Sequence, residues 1–346
     1  MEADEKMDEV WVTRLSRVFV ERSPVGSLPT ILLTVGLVPF ALTGVFLTLI
    51  GFDVRRVFLG SQLLASAMIA VATVLICRYD TVVLSTFVER ATEVTPHDDN
   101  REIRAIAARY RAFFTDTRAT TVVWTALILF AVLANDGYFR ALGVPGYTDP
   151  AYLVYLVFTA WGGAITAVGI RMAATTTLCI REIGQLDFSI DPLHPDGLGG
   201  LSAIGYFAIR TTTMLSIGAL GLPLAFDVVR VGGGSGIIYV LVAIYIGLIV
   251  GSFAFPTVYI NRRANEIKQE QLNDTRERIH DLSERLMAAD DPEAIEPLQM
   301  KLAELRTAYD TYDSVSLYPM SLSIASRLAS SVLLPLFFLL FETYVV

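Results

Sequence analysis

Charge is what this chain has least of. Charged residues fill 18% of its 346 positions, against about a quarter in soluble domains, while 53% are hydrophobic and the mean hydropathy is +0.54. That balance excludes an ordinary soluble enzyme. Lysine is scarcer still: of 27 basic residues only Lys6, Lys268 and Lys301 are lysine, a bias that suits a high-salt or high-GC source. A net charge of -8 and a pI near 5.0 argue against a nucleic-acid partner, whose backbone needs clustered Lys and Arg. There are two cysteines, Cys77 and Cys179, both in apolar runs, so neither a disulfide framework nor a thiolate metal site is expected. Histidine is confined to His97, His194 and His280.

The apolar residues are concentrated in blocks. Stretches of about 17 to 25 residues carry almost no charge, which is the length a helix needs to cross about 30 Å of hydrocarbon. Seven such spans are expected: Leu28 to Ile50, Val57 to Cys77, Ala119 to Asn135, Ala151 to Ile170, Thr211 to Val229, Ile237 to Tyr259 and Leu328 to Val346. The fifth is the weakest, because Thr211, Thr212 and Thr213 dilute its start. The expected fold is therefore all-α and polytopic, in the cell membrane. All three lysines fall outside the spans, which excludes a retinal Schiff base. The acidic, polar start MEADEKMDEV does not read as a signal peptide.

Orientation follows from the basic residues. With the N-terminus cytoplasmic and the C-terminus external, 23 Lys and Arg lie inside and only Arg55, Arg56, Arg140 and Arg230 outside. Each span then has an arginine near its inner end: Arg22, Arg78, Arg118, Arg171, Arg210, Arg262 and Arg327. Arg171, Arg210 and Arg327 read as basic anchors that snorkel to the inner interface; the alternative for Arg210 and Arg327 is an anion site or gating charge.

This placement leaves apolar sequence below the inner arginines. Met172 to Ile183, Ser202 to Ile209 and Ser316 to Ser326 are too apolar for solvated loops and are expected to pack together as a helical layer. The second span is expected to run on to Val94, and a return helix from Asp99 or Asn100 carries Ile103, Ile106, Tyr110 and Phe114 at helical spacing, with Thr95 to Asp98 as the turn. Asn261 to Tyr318 reads as an antiparallel helical hairpin, with Ile279, Leu282 and Leu286 in one arm and Leu298, Leu302, Leu305 and Tyr309 in the other, broken at Asp290, Asp291 and Pro292. The chain thus divides into a cytoplasmic N-terminal segment 1–27, six transmembrane helices with cytoplasmic extensions 28–259, the hairpin 260–318 and a last span 319–346.

Enzyme motifs are lacking. There is no His-Glu-x-x-His, no Gly-x-Ser-x-Gly and no Walker sequence, and Gly232 to Gly236 reads as an external linker, not a phosphate loop. No enzyme activity and no cofactor are expected. The string from Asp191 to Gly200 is read as a turn built by His194, Asp196 and Gly197, with Asp196 capping the next helix; the alternative is a metal site in which Asp187, Asp191, Asp196 and His194 donate. The last span carries Arg327, Ser331, Leu334, Phe338, Glu342 and Val345 on one face. Facing a common axis, that face would give an inner basic ring, an apolar constriction and an outer acidic ring, the parts of a gated cation pathway; otherwise it packs on its own bundle.

Two resemblances attach to these residues. The His194-Pro195-Asp196-Gly197 turn followed by Gly199-Gly200-Leu201, and Tyr318-Pro319 leading into the last span, look like segments of uncharacterised prokaryotic multi-pass proteins, a resemblance that brings no function with it. The seven spans, cytoplasmic N-terminus, external C-terminus and chain-ending last span resemble the insect odorant and gustatory receptor superfamily of ion channels. Thr343 and Tyr344 match the first two positions of the gustatory motif; its Gln-Phe is missing here. The resemblance implies a homo-oligomer, in that family a tetramer, with a cytoplasmic anchor, a pore lined by the last helix, a small-molecule ligand and the lipid bilayer as partner. The expected function is a ligand- or stimulus-gated ion channel. The alternative is a non-conducting sensor or scaffold whose cytoplasmic hairpin recruits a partner.

Overall fold

The computed structural model describes residues 9–24, 26–51, 56–94, 100–141, 143–144, 146–186, 202–232, 236–288 and 292–314. Among them every element is helical and there is no strand. Helix α1 is Trp11–Arg22. The next helix runs Ser27–Leu49 as α2 (Ser27–Ile31), a π-helical stretch Leu32–Leu37 and α3 (Val38–Leu49). Then come α4 (Arg56–Arg78), a second π-helical stretch Tyr79–Val83 and α5 (Leu84–Val94). Helices α6 (Asn100–Thr115) and α7 (Arg118–Leu133) follow, bent by 41° at their junction, and then the short α8 (Asp136–Ala141). After α9 (Pro150–Ile183) come α10 (Ser202–Ile217), a 3₁₀ turn Gly218–Gly221, α11 (Leu222–Gly232), α12 (Gly236–Met287) and α13 (Pro292–Ser314).

Four helices are long and apolar enough to cross a membrane: Ser27–Leu49, Gln62–Thr92, Pro150–Ile183 and Gly236–Met287. The bent pair α6 and α7 makes a fifth if it is one span. Their outward faces are apolar, with Leu42, Val45, Val122, Val157 and Val258 each more than half exposed, as lipid-facing positions are. Of the seven expected spans, the third lies in α7. The fifth, Thr211 to Val229, is not one continuous helix: it is interrupted by the 3₁₀ turn between Gly218 and Gly221. The seventh lies outside the described residues, as do the turn from Thr95 to Asp98 and the segment from Ser316 to Ser326.

Helix α9 is the central post, touching α3, α4, α6, α7, α10 and α12. Its start is set locally. The Asp149 carboxylate accepts from the Ala151 N–H at 2.7 Å, and Pro150 occupies the first turn, where a missing N–H costs nothing. Around its C-terminal half lies a closely packed core that includes Ile103, Ile106, Phe114, Ile180, Ile183 and Phe207. Phe207 stacks on Phe87 with ring centroids 4.1 Å apart, and Tyr79 meets Phe114 edge-on at 5.1 Å. Segments 172–183 and 202–209 share this core with the helix from Asn100, because their apolar residues recur on the faces that meet.

Helix α12 is 52 residues long, about 78 Å at 1.5 Å per residue. Its later half pairs with α13 as an antiparallel hairpin. The Lys268 ammonium donates to the Asp313 carbonyl at 2.8 Å, and the Arg276 guanidinium donates to the Tyr309 hydroxyl at 2.7 Å. The hairpin's apolar seam is thin beyond Leu272: Ile279, Leu282 and Leu286 are only half-buried, while Leu302 is buried.

Candidate ligand-binding cavity

Above the dense core the packing opens. A cavity of about 370 Å³ lies between α4, α7, α9, α12 and the interrupted helix α10–α11. Its walls are apolar and pliable: Met68, Met172 and Met214 face it with Ile76, Ile128, Ile165, Leu241 and Leu248. Methionine thioethers are flexible and polarizable, and they line surfaces that accommodate more than one shape. A size of 300–1,000 Å³, an apolar lining and a few fixed polar groups characterise small-molecule sites.

The interruption of α10–α11 builds one wall. A Cβ at Gly218 would stand 2.5 Å from the Tyr245 hydroxyl and push that ring aside, while one at Gly221 would stand 2.6 Å from the Met68 methyl, which a flexible side chain can move out of the way. Where the helix tightens, the Leu215 carbonyl is taken by the Tyr245 hydroxyl from α12. Irregular backbone among apolar helices persists where neighbours satisfy the freed groups. The Trp124 indole N–H donates to Thr166 Oγ1 at 3.0 Å across α7 and α9, fixing the indole at the rim. Gly169, also on the cavity wall, has open space where a side chain would begin.

One helical turn along from the lining residues Ile76, Met172, Leu215 and Leu248 is a belt of buried hydroxyls. Tyr79 OH meets Thr176 Oγ1 at 2.8 Å, Thr176 meets Thr211 at 3.0 Å, and Thr212 meets Ser252 at 3.2 Å. Four helices are tied together at one level. Four residues further along α12, Pro256 lacks the N–H that would bond the Ser252 carbonyl, so the rod is weakened two turns beyond the cavity.

Of the basic anchors, Arg171 is at a break in the fold. Its Nε donates to the Phe113 carbonyl at 2.8 Å, its guanidinium lies 3.4 Å from the Phe113 ring centroid, and Nη1 reaches Thr120 at 3.3 Å. Phe113 is in the last turn of α6, where carbonyls lose their helical donors; Arg171 supplies one and clamps the bend into α7. Arg210 is exposed on α10. Arg327, the pore-face residues Ser331, Leu334, Phe338, Glu342 and Val345, and the turn residues His194, Asp196 and Gly197 lie outside the described residues. Among the described residues no group of three or more His, Cys, Asp or Glu could hold a metal ion.

The cavity residues went unnoticed in the sequence. The available signals were Gly218 and Gly221 three apart inside an apolar run and three methionines, Met68 and Met214 within spans and Met172 just beyond the end of one. Asp80 was also missed. It is fully buried on the second π-helical stretch, where its Oδ2 accepts from the Val10 N–H at 3.1 Å and Oδ1 has no partner among the described residues. An acid inside an otherwise apolar run is its sequence signature.

No protein-family model, no curated protein and no solved structure matches the chain.

Proposed function

We propose that this chain is an integral membrane protein that responds to an apolar small molecule held in the cavity between α4, α7, α9 and α12. The single observation that carries the reading is the cavity itself: about 370 Å³, apolar, with a helix break at Gly218–Gly221 as one wall. The output we propose is a cation pathway in a homo-oligomer, a tetramer as in the insect receptor channels the topology resembles, lined by Ser331, Leu334, Phe338, Glu342 and Val345. Helix α12 connects input to output: residues 238–248 line the cavity, and the same helix continues into the hairpin with α13. Occupancy that shifts α12 at Pro256 would move the hairpin as a lever.

That lever also favours a second reading, a non-conducting sensor whose cytoplasmic hairpin recruits a partner. Reconstituted liposomes separate the two. Cation flux that depends on an apolar naphthylamine probe, and is lost in Gly169→Leu, supports the channel. Saturable probe binding without flux under any condition supports the sensor. Absence of saturable binding removes both.

A further inference from the structure

A second cavity lies at the other face of the bundle, between α1, the start of α2 and the end of α4. It measures about 330 Å³ and is unlike the first in chemistry. One end is basic and hydroxylated, with Arg17 and Arg78 beside Thr13 and Ser16; the other is apolar, with Leu28, Ile31 and Val74.

We infer that this cavity is a binding site for an anionic phospholipid, with the headgroup phosphate between Arg17 and Arg78 and the acyl chains along the outer surface of α2 and α4. The inference rests on the membrane reading above. Arg17 pairs with Glu9 and also faces the buried Asp80 carboxyl, whereas Arg78 is exposed and has no ion-pair partner among the described residues, so Arg78 is the guanidinium that can take an anion. Thr13 and Ser16 place two hydroxyls beside the arginines, with Thr13, only 5% exposed, against the Asp80 carboxyl and the Cys77 thiol, so that end of the cavity is polar. The apolar end continues onto lipid-accessible surface, since Leu28 is 55% exposed. Helix α1 buries Val12, Thr13 and Ser16 and exposes Val18 and Phe19, an amphipathic helix of the kind that lies in the interfacial plane. Headgroup, glycerol and chains therefore meet basic, hydroxylated and apolar walls in the order in which a phospholipid presents them.

The test is lipid retention by the full chain. Protein reconstituted in equimolar phosphatidylglycerol and phosphatidylcholine of identical acyl chains is re-extracted in detergent, and bound lipid is measured by native mass spectrometry. The expected result is preferential retention of phosphatidylglycerol, reduced about fivefold for each arginine removed, in Arg78→Gln and further in the Arg17→Gln/Arg78→Gln pair. Arg78→Lys should restore it. Because Arg17 also pairs with Glu9, Arg78→Gln alone, at an exposed side chain, carries the decision. Equal retention of both lipids, unchanged retention in Arg78→Gln, or complete displacement by millimolar inorganic phosphate would each overturn the inference. Recovery of the chain in the aqueous phase without detergent would instead overturn the membrane reading.

Discussion

The middle and the C-terminal part of helix α9 are built differently. Its C-terminal half is surrounded by aromatic rings in contact and a belt of bonded hydroxyls, while its middle faces an apolar cavity walled by methionines and glycines. Both regions are apolar, so burial alone does not distinguish them. What differs is shape: flat rings and β-branched residues fill space in one arrangement, whereas methionine and a helix break leave space that can be filled in several. The first region fixes the relative position of four helices; the second lets them adjust. On the function proposed above, occupancy would act on the stretch of α12 from Ile238 to Leu248, before Ser252 ties that helix to Thr212.

If that contrast is right, damage should fall unequally. The largest effect is expected from Phe207→Ala in the dense core. Removing a ring stacked on Phe87 and Tyr79 should cost about 3–5 kcal/mol, seen as a lowered midpoint of thermal unfolding in detergent. A similar truncation at the cavity, Met214→Ala, should cost markedly less, because its neighbours already border a void. Equal losses at the two positions would dissolve the contrast.

Arg171→Met comes next. It keeps an unbranched apolar side chain but removes the guanidinium over Phe113 and leaves the Phe113 carbonyl without its donor, at about 1–3 kcal/mol. The expected signature is faster hydrogen exchange at the α6–α7 junction with little change elsewhere. A global loss with no local signature would mean that the arginine does not clamp the bend.

A stabilising change is expected at Gln62. It is 2% exposed on α4, and both ends of its amide lack partners among the described residues. Gln62→Leu should raise stability by about 1–2 kcal/mol. Destabilisation would show that the amide has a role the described residues do not account for.

The smallest effect concerns Glu9. Burial pushes its carboxyl above the ordinary value of 4.5, and the Arg17 charge only partly opposes this. A carboxyl with a raised folded value binds its proton more readily folded than unfolded. Its contribution to stability therefore grows as pH falls through the raised value toward 4.5, and Glu9→Gln should flatten the unfolding midpoint against pH in that window. An unaltered slope would contradict this.

Some of this was legible from residue order. Charge-free stretches marked the helices Ser27–Leu49, Pro150–Ile183 and the first part of α12, because a helix surrounded by apolar matter has no polar face to reveal or hide. The spacing of Ile103, Ile106, Tyr110 and Phe114 marked α6, and the breaker at Pro292 marked the turn of the hairpin. The cavity was not legible. It exists because Gly218 and Gly221 interrupt one helix opposite Tyr245 and Met68, two other helices whose registers the sequence does not state. Arg171 was legible as a basic residue at the end of an apolar run, but not as the donor to a carbonyl 58 positions earlier, since that bond depends on how α9 crosses the bend.

The account stands on whether the cavity admits an apolar molecule. With Trp11 and Trp161 replaced by phenylalanine, Trp124 at the cavity rim becomes the sole tryptophan and reports on the space beside it. Titrating a short bromoalkane into the reconstituted protein should quench its fluorescence in a saturable phase above the linear quenching due to lipid partition, and Gly169→Leu should abolish that phase while leaving the unfolding midpoint intact. Linear quenching of the same slope in both proteins would contradict the account.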